Sequence, residues 1–207
     1  MPLATPGLPQ AIRRAAALLL AATLAWAAQA PARDYPEAPD DTVRFELRAE
    51  DGRTVSAEDF RGRHLLVFFG YTNCPDVCPT GMATIAAALR QMDGKAAALK
   101  PVFISVDARR DTPETLAAYT DAFHPDILGL TGEKRAISEA ARSFGASYRT
   151  MDYQGKYLVD HTASLYLVGP EGKLQDIYPH GLSSEELAQR LEQALAASPA
   201  DTATEES

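Results

Sequence analysis

Leu65-Leu66-Val67-Phe68-Phe69 is an unbroken apolar run, and five residues beyond it lies the first of the only two cysteines in a chain of 207 residues. Bounded by His64 and Gly70, the run has the length of a strand covered on both faces, which implies a sheet with helices packed on each side. The flanking sequence alternates accordingly. Thr42–Arg48 reads as a half-buried strand turned by Asp51-Gly52, and Thr80–Met92 carries helical spacing. Pro101–Val106 is a second buried strand, ending at Asp107. Thr112-Pro113-Glu114 supplies a cap, a proline at the first helical position and an acid facing the helix dipole, and that helix runs to about Phe123. Ile127–Leu130 is a short strand, and a helix over Glu133–Phe144 closes at Gly145.

The pattern then changes. Ser147–Met151 and Lys156–Val159 flank Asp152-Tyr153-Gln154-Gly155 as a hairpin, and Ala163–Val168 and Lys173–Tyr178 flank a turn at Gly169-Pro170-Glu171-Gly172. Ser183 with Glu186 forms a capping box for a last helix to about Ala196. The implied body, residues 42–197, is one three-layer α/β domain with a mixed central sheet, an N-terminal strand extension and a hairpin inserted before the last strands. Residues 31–41 read as a Pro-rich tether and 198–207 as a disordered acidic tail. A dithiol just after the first central strand makes the pattern resemble a thioredoxin-like fold.

Residues 1–30 have the marks of a targeting segment. Arg13-Arg14 precede an apolar stretch from Ala15 to Ala28, and small-residue exits follow at Ala25-Trp26-Ala27 and Ala28-Gln29-Ala30. The segment is a signal peptide or, uncut, a thin membrane anchor through residues 15–30; either role places the body outside the cytoplasm, in a periplasmic or comparable space. Residues 33–207 carry 18 basic against 28 acidic side chains, a net of −10. No Lys/Arg cluster interrupts that balance, which argues against a nucleic-acid partner.

Cys74 and Cys78 form a poor staple, because closing a five-residue loop contributes only about 2 kcal/mol against roughly 4.7 for a hundred-residue loop. They read instead as a working dithiol, which in an oxidising compartment forms a disulfide unless a reductant or a metal holds it. Pro79 disfavours helical geometry at Cys78, so the pair is expected on a loop capped by Thr80. A helix N-terminus next to the pair is expected to lower thiol pKa values. Two thiolates with one imidazole suit Cu(I), whereas structural zinc wants four protein ligands and a blue-copper site two histidines. His161 lies on the loop that would face the dithiol, while His64 begins the buried strand at its far end and His124 and His180 read as loop residues. Asp107, at the carboxyl end of a strand, is either an accessory oxygen ligand or a turn cap. Met82 reads as core rather than as a thioether ligand; Tyr71 and Phe69 read as walls of the site or as core.

Gly70-Tyr71-Thr72-Asn73-Cys74-Pro75-Asp76-Val77-Cys78-Pro79, Phe103-Ile104-Ser105-Val106-Asp107, Arg110-Asp111-Thr112-Pro113-Glu114, Phe123-His124-Pro125, Gly129-Leu130-Thr131-Gly132 and Val159-Asp160-His161-Thr162-Ala163 together resemble the Sco/SenC family over residues 42–196. The resemblance implies a thioredoxin-like copper chaperone that helps assemble the CuA site of cytochrome c oxidase subunit II. It implies one copper held by Cys74, Cys78 and His161, and a part for Asp107 in metal transfer. It also implies a copper acceptor, a copper donor or a thiol reductant as partners. Ala108, Thr162 and Asn73 depart from the family's commoner residues without touching a ligand. Beside it stands a metal-independent periplasmic thiol–disulfide oxidoreductase, in which His161 only tunes the thiolate. A thiol peroxidase fits worse, since Thr72 stands two residues before Cys74 and not three.

Overall fold

A computed structural model describes residues 42–92, 94–153 and 156–197. In chain order the elements are β1 (Glu46–Ala49), β2 (Thr54–Ser56), β3 (His64–Gly70), α1 (Val77–Gln91), β4 (Leu99–Ser105), α2 (Pro113–Asp121), β5 (Leu128–Thr131), α3 (Lys134–Ser143), β6 (Tyr148–Tyr153), β7 (Lys156–His161), β8 (Leu165–Val168), β9 (Leu174–Tyr178) and α4 (Ser184–Ala196). Every residue of β3 is buried, as its apolar run requires. Seven strands form one mixed sheet in the order β2-β1-β5-β4-β3-β8-β9, and β6 with β7 forms a separate two-stranded hairpin. β3 and β5 run parallel to β4; β8, β9, β1 and β2 are added antiparallel.

The parallel pairs dictate the layers. β3-α1-β4 and β4-α2-β5 are crossovers stepping the same way along the sheet, so right-handed connections place α1 and α2 on one face. Phe68 on that face meets Gly81 of α1 and lies 6.1 Å from the Phe103 ring, which in turn lies 5.3 Å from Tyr119 of α2. α4 packs beside α1, tied by Gln91 to Ser184 (3.0 Å) and Lys95 to Glu192 (2.7 Å). Phe69, the next residue of the strand, faces the other way, with Phe144 at the end of α3 at 5.3 Å and Tyr166 at 5.7 Å between ring centres. The expected three-layer arrangement is present.

Local chemistry sets the helix ends. Thr112 accepts from the Thr115 amide at 3.3 Å with Pro113 at the first helical position. Gly145 takes φ +68° after α3, and the amides of Gly145 and Ala146 return to the carbonyls of Arg142 (3.1 Å) and Ala141 (2.8 Å), a Schellman closure that favours glycine. Ser183 accepts from the Glu186 amide at 3.1 Å, but the Glu186 carboxylate accepts from Arg190 at 2.7 Å, so the serine half alone of the expected capping box forms.

Other differences from the expected elements are local. The first strand starts at Glu46, with Thr42 held by an isolated bridge to Lys173. β2 and a 3-10 turn over Ala57–Phe60 were not anticipated, because three or four residues are too few to show a period. The hairpin strands are longer than expected, and His161 ends β7 instead of sitting on a loop. The segment 1–30, the tether 31–41, turn residues 154 and 155 and the tail 198–207 lie outside the described residues. Among the described residues no helix is long and apolar enough to cross a membrane.

Phe69 is buried against α3, away from the cysteines, so Phe69→Ala should lower unfolding free energy by about 3–5 kcal/mol in urea titrations. Alkylation of the native Cys74 thiol should keep its wild-type rate, since that face of the strand is not the one disturbed.

Candidate metal centre

Parallel pairing sets Gly70 beside Ser105, so β3 and β4 end together, and the cysteine loop leaves from that edge. A buried carboxylate then fixes the loop. Asp111 accepts from the Thr72 amide (2.9 Å), the Thr72 hydroxyl (2.6 Å) and the Ser105 hydroxyl (2.6 Å), which joins the loop after β3 to the loop after β4. The Cys74 amide donates to the Tyr71 carbonyl at 3.2 Å, completing a tight turn.

α1 begins at Val77, earlier than expected, so Cys78 lies inside its first turn. Pro79 is tolerated there because the first helical amides have no partner within the helix, and its missing N–H removes nothing. Thr80 is not the cap; its hydroxyl donates to the Asp76 carbonyl at 2.9 Å. One of those free amides, that of Cys78, donates to the Cys74 sulfur at 3.4 Å. Cys78 itself is fully buried, whereas Cys74 is partly exposed, and both are free thiols. Burial pushes the Cys78 thiol well above its ordinary range, with a further rise from the neighbouring Cys74. The expected lowering by the helix N-terminus is therefore overturned at Cys78: desolvation of a sulfur inside the core outweighs the dipole.

The hairpin brings the third residue. The Nε2 of His161 lies 3.3 Å from the Cys78 sulfur, and its Nδ1 lies 3.1 Å from the Thr162 carbonyl. With Nδ1–H donating to that carbonyl, the Nε2 lone pair is left to accept from the thiol or to bind a metal. Burial depresses the His161 pKa below its ordinary value, which keeps the ring neutral and able to donate that lone pair. One ligand-type atom from each of Cys74, Cys78 and His161 lies within 4.8 Å of the others. Two soft sulfurs and one imidazole nitrogen match a soft monovalent cation better than a hard divalent one.

The remaining expected residues fall out differently. Asp107 has no exposed side-chain surface and is not among the three residues whose ligand-type atoms cluster. Its carboxylate accepts from Arg110 Nε and from the Arg109 amide (3.3 Å), and its carbonyl accepts from the Arg110 and Asp111 amides. These are the bonds of a turn cap. Tyr71 does wall the centre, edge-on to His161 at 5.9 Å, but Phe68 takes the place expected for Phe69, at 6.4 Å from the His161 ring. The period-2 alternation of β3 explains the exchange. Met82 is fully buried in the core. His64 is buried, and its Nε2 has no hydrogen-bond partner; His124 contacts Asp126.

Gly70, Arg110 and Asp111 matter to the site, although the sequence motifs that contain them assigned them no role. A Cβ on Gly70 would lie 2.8 Å from the Cys78 sulfur and 2.7 Å from the Phe103 ring, so the close approach of α1 to β3 needs glycine. No sequence signal marks that approach, because it is made by a residue eight positions later. Asp111 offered a weak signal, as an acid between a strand end and a capped helix start.

A family model described as SCO1/SenC matches residues 33–196. The human protein named "Protein SCO2 homolog, mitochondrial" is 36% identical over 157 residues, which is 74% of this chain and 59% of that protein. The chain thus spans about three-fifths of the length of that curated relative. Among solved structures, Arabidopsis thaliana ScoI with copper bound superposes with a TM-score of 0.71 at 32% identity, covering 75% of this chain and 98% of that one. Bradyrhizobium japonicum ScoI with copper bound gives 0.68 at 35% identity, covering 73% and 98%.

Gly70→Ala should cost about 1–3 kcal/mol and raise the alkylation rate of Cys78, because neither Phe103 nor the sulfur has room to yield. Burial also sets a pH window for the metal-free protein. The His161 pKa is depressed from 6.5, so its contribution is present above 6.5 and is lost as pH falls through the folded value; His64 acts in the same direction. The Cys78 pKa is raised from 9.0, so its contribution is present below 9.0 and is lost as pH rises through the folded value. Urea midpoints should therefore peak between these limits, and His161→Gln should flatten the acid side.

Proposed function

We propose that this chain, which belongs to the SCO1/SenC family, is an extracytoplasmic copper carrier that binds one copper ion through Cys74, Cys78 and His161 and passes it to an acceptor during cytochrome c oxidase assembly. The observation that carries the ligand assignment is the convergence of the three ligand atoms within 4.8 Å, with the imidazole tautomer leaving Nε2 toward the sulfurs. Copper bound in two structural relatives supports the identity of the metal. Burial disfavours the Cys78 thiolate, and an arriving cation supplies the missing positive charge as its proton leaves.

The half-exposed Cys74 suits handover. An acceptor thiol or imidazole reaches the ion from that side while Cys78 and His161 still hold it, so copper passes by ligand exchange and is never free. We take the acceptor to be the CuA site of subunit II, and the body to lie outside the cytoplasm on the strength of residues 1–30. Residues 42–197 form the working domain on this reading, with 31–41 as its tether and 198–207 as its tail.

A second reading is favoured by the exposure difference itself. An accessible Cys74 above a buried Cys78 is the arrangement of a thiol–disulfide oxidoreductase, with the outer sulfur attacking and the inner one resolving. The two roles are separable at His161.

The reduced protein should take up one Cu(I) per chain in competition with a chromophoric chelator. Cys74→Ser and Cys78→Ser should abolish uptake, and His161→Ala should weaken it. No uptake by the reduced wild type at micromolar copper would end the carrier reading. If His161→Ala destroys copper binding yet spares reduction of an oxidised acceptor, the protein does both jobs.

A further inference from the structure

Two of the three proposed ligands sit on the loop and first helical turn that leave the edge of the seven-stranded sheet, but His161 does not. It ends β7, and the β6–β7 hairpin shares no ladder with that sheet. The backbone ties His161 to the sheet only through β8, which starts four residues later, so side-chain contacts help set how far its imidazole stands from the sulfurs. Tyr148 reaches the Lys134 carbonyl at a long 3.4 Å. The densest tie is Arg110. Its Nε donates to the buried Asp107 carboxylate, its Nη1 donates to the Tyr157 carbonyl at 3.2 Å, and its guanidinium lies 4.6 Å from the centre of the Tyr157 ring. The same guanidinium lies 5.5 Å from the Tyr71 ring, and Tyr71 is edge-on to His161 at 5.9 Å. Tyr157 and His161 are four residues apart on β7, so they face the same side of the hairpin.

We infer that Asp107 and Arg110 are positioning residues: a latch in which Asp107, anchored at the end of β4, aims the Arg110 guanidinium at Tyr157 and so holds the hairpin, and with it His161, over the cysteines. Asp107 thereby acts on the metal centre through Arg110 and the hairpin, and not as an oxygen ligand. The chemistry suits the task. A guanidinium is always charged, planar and forked, so one side chain can engage a carboxylate, a carbonyl and an aromatic face together, which a lysine cannot. Nη2 of Arg110 is buried without a hydrogen-bond partner, a cost retained in a group whose other contacts all run between strand end and hairpin.

The inference rests on the copper reading for its ligand set, and the test separates the two. Arg110→Met and Asp107→Asn each break the latch; the double variant leaves no unpaired buried charge and guards against loss of the fold, which urea midpoints check. Arg135→Met, which removes an exposed arginine–glutamate pair, is the control. Latch variants should bind Cu(I) about 10–100-fold more weakly, as loss of an orienting partner does. In the Cu(II)-loaded protein they should lose nitrogen hyperfine splitting while keeping sulfur-to-copper charge transfer; the control should match wild type in both. In the metal-free protein, amide exchange at Leu158–His161 should quicken in the latch variants with the sheet unchanged. Wild-type exchange in the hairpin of folded Arg110→Met and double variants would overturn the latch whether or not copper binds. Unchanged affinity and hyperfine splitting in those proteins would overturn it too. A wild type that binds no copper but whose hairpin loosens in the variants would sink the carrier reading and leave the latch standing.

Discussion

Three hydrogen bonds converge on the Asp111 carboxylate, and the arrangement of the whole centre follows from them. Two come from Thr72 and one from Ser105, so a single buried anion joins the loops that leave two adjacent parallel strands. Charge-assisted bonds are short and strong, and a carboxylate largely shut off from water must keep its donors. The cysteine loop is therefore held to the sheet edge before either thiol is considered. The Asp111 carbonyl also accepts from Thr131, which extends the clamp to β5.

From that edge the centre is built with two kinds of support. Cys74 and Cys78 rest on the sheet and on the first turn of α1, and Gly70 lets the Cys78 sulfur pack directly on β3. His161 comes from a hairpin that shares no ladder with that sheet. A carrier benefits from that asymmetry. On the copper-carrier reading, two ligands would stay fixed while the third sits on an element whose opening costs fewer backbone hydrogen bonds than opening the sheet. The same division suits a dithiol whose outer sulfur must be reached by a partner.

Much of the fold was legible because it follows from short-range rules. The apolar β3 run implies burial on both faces, Thr112-Pro113 starts a helix, and Gly145 ends one. What escaped notice was either too short to be periodic, as with β2, or depended on a neighbour distant in sequence. Phe68 and Phe69 show the limit well. Both are apolar and adjacent, and only the handedness of the β3-α1-β4 crossover decides which faces α1 and the metal centre and which faces α3. Pro79 misled for a related reason: the bias it places on Cys78 is real, but the first turn of a helix tolerates it.

The residues of the candidate centre were nameable from the chain, because cysteine is scarce in it and a soft-metal donor set is defined by residue type. Family membership was equally a property of sequence, since it rests on motifs in order. What tertiary structure alone decided was the state and setting of those residues. Burial decided that the Cys78 thiol would be raised and not lowered, because desolvation is a property of the surrounding layers. Packing decided that Asp107 would face Arg110 and not join the cluster of the cysteines and His161, because a carboxylate at a strand end takes the nearest cation the fold supplies. A sequence lists donors and acceptors; distances between residues far apart in the chain choose among them.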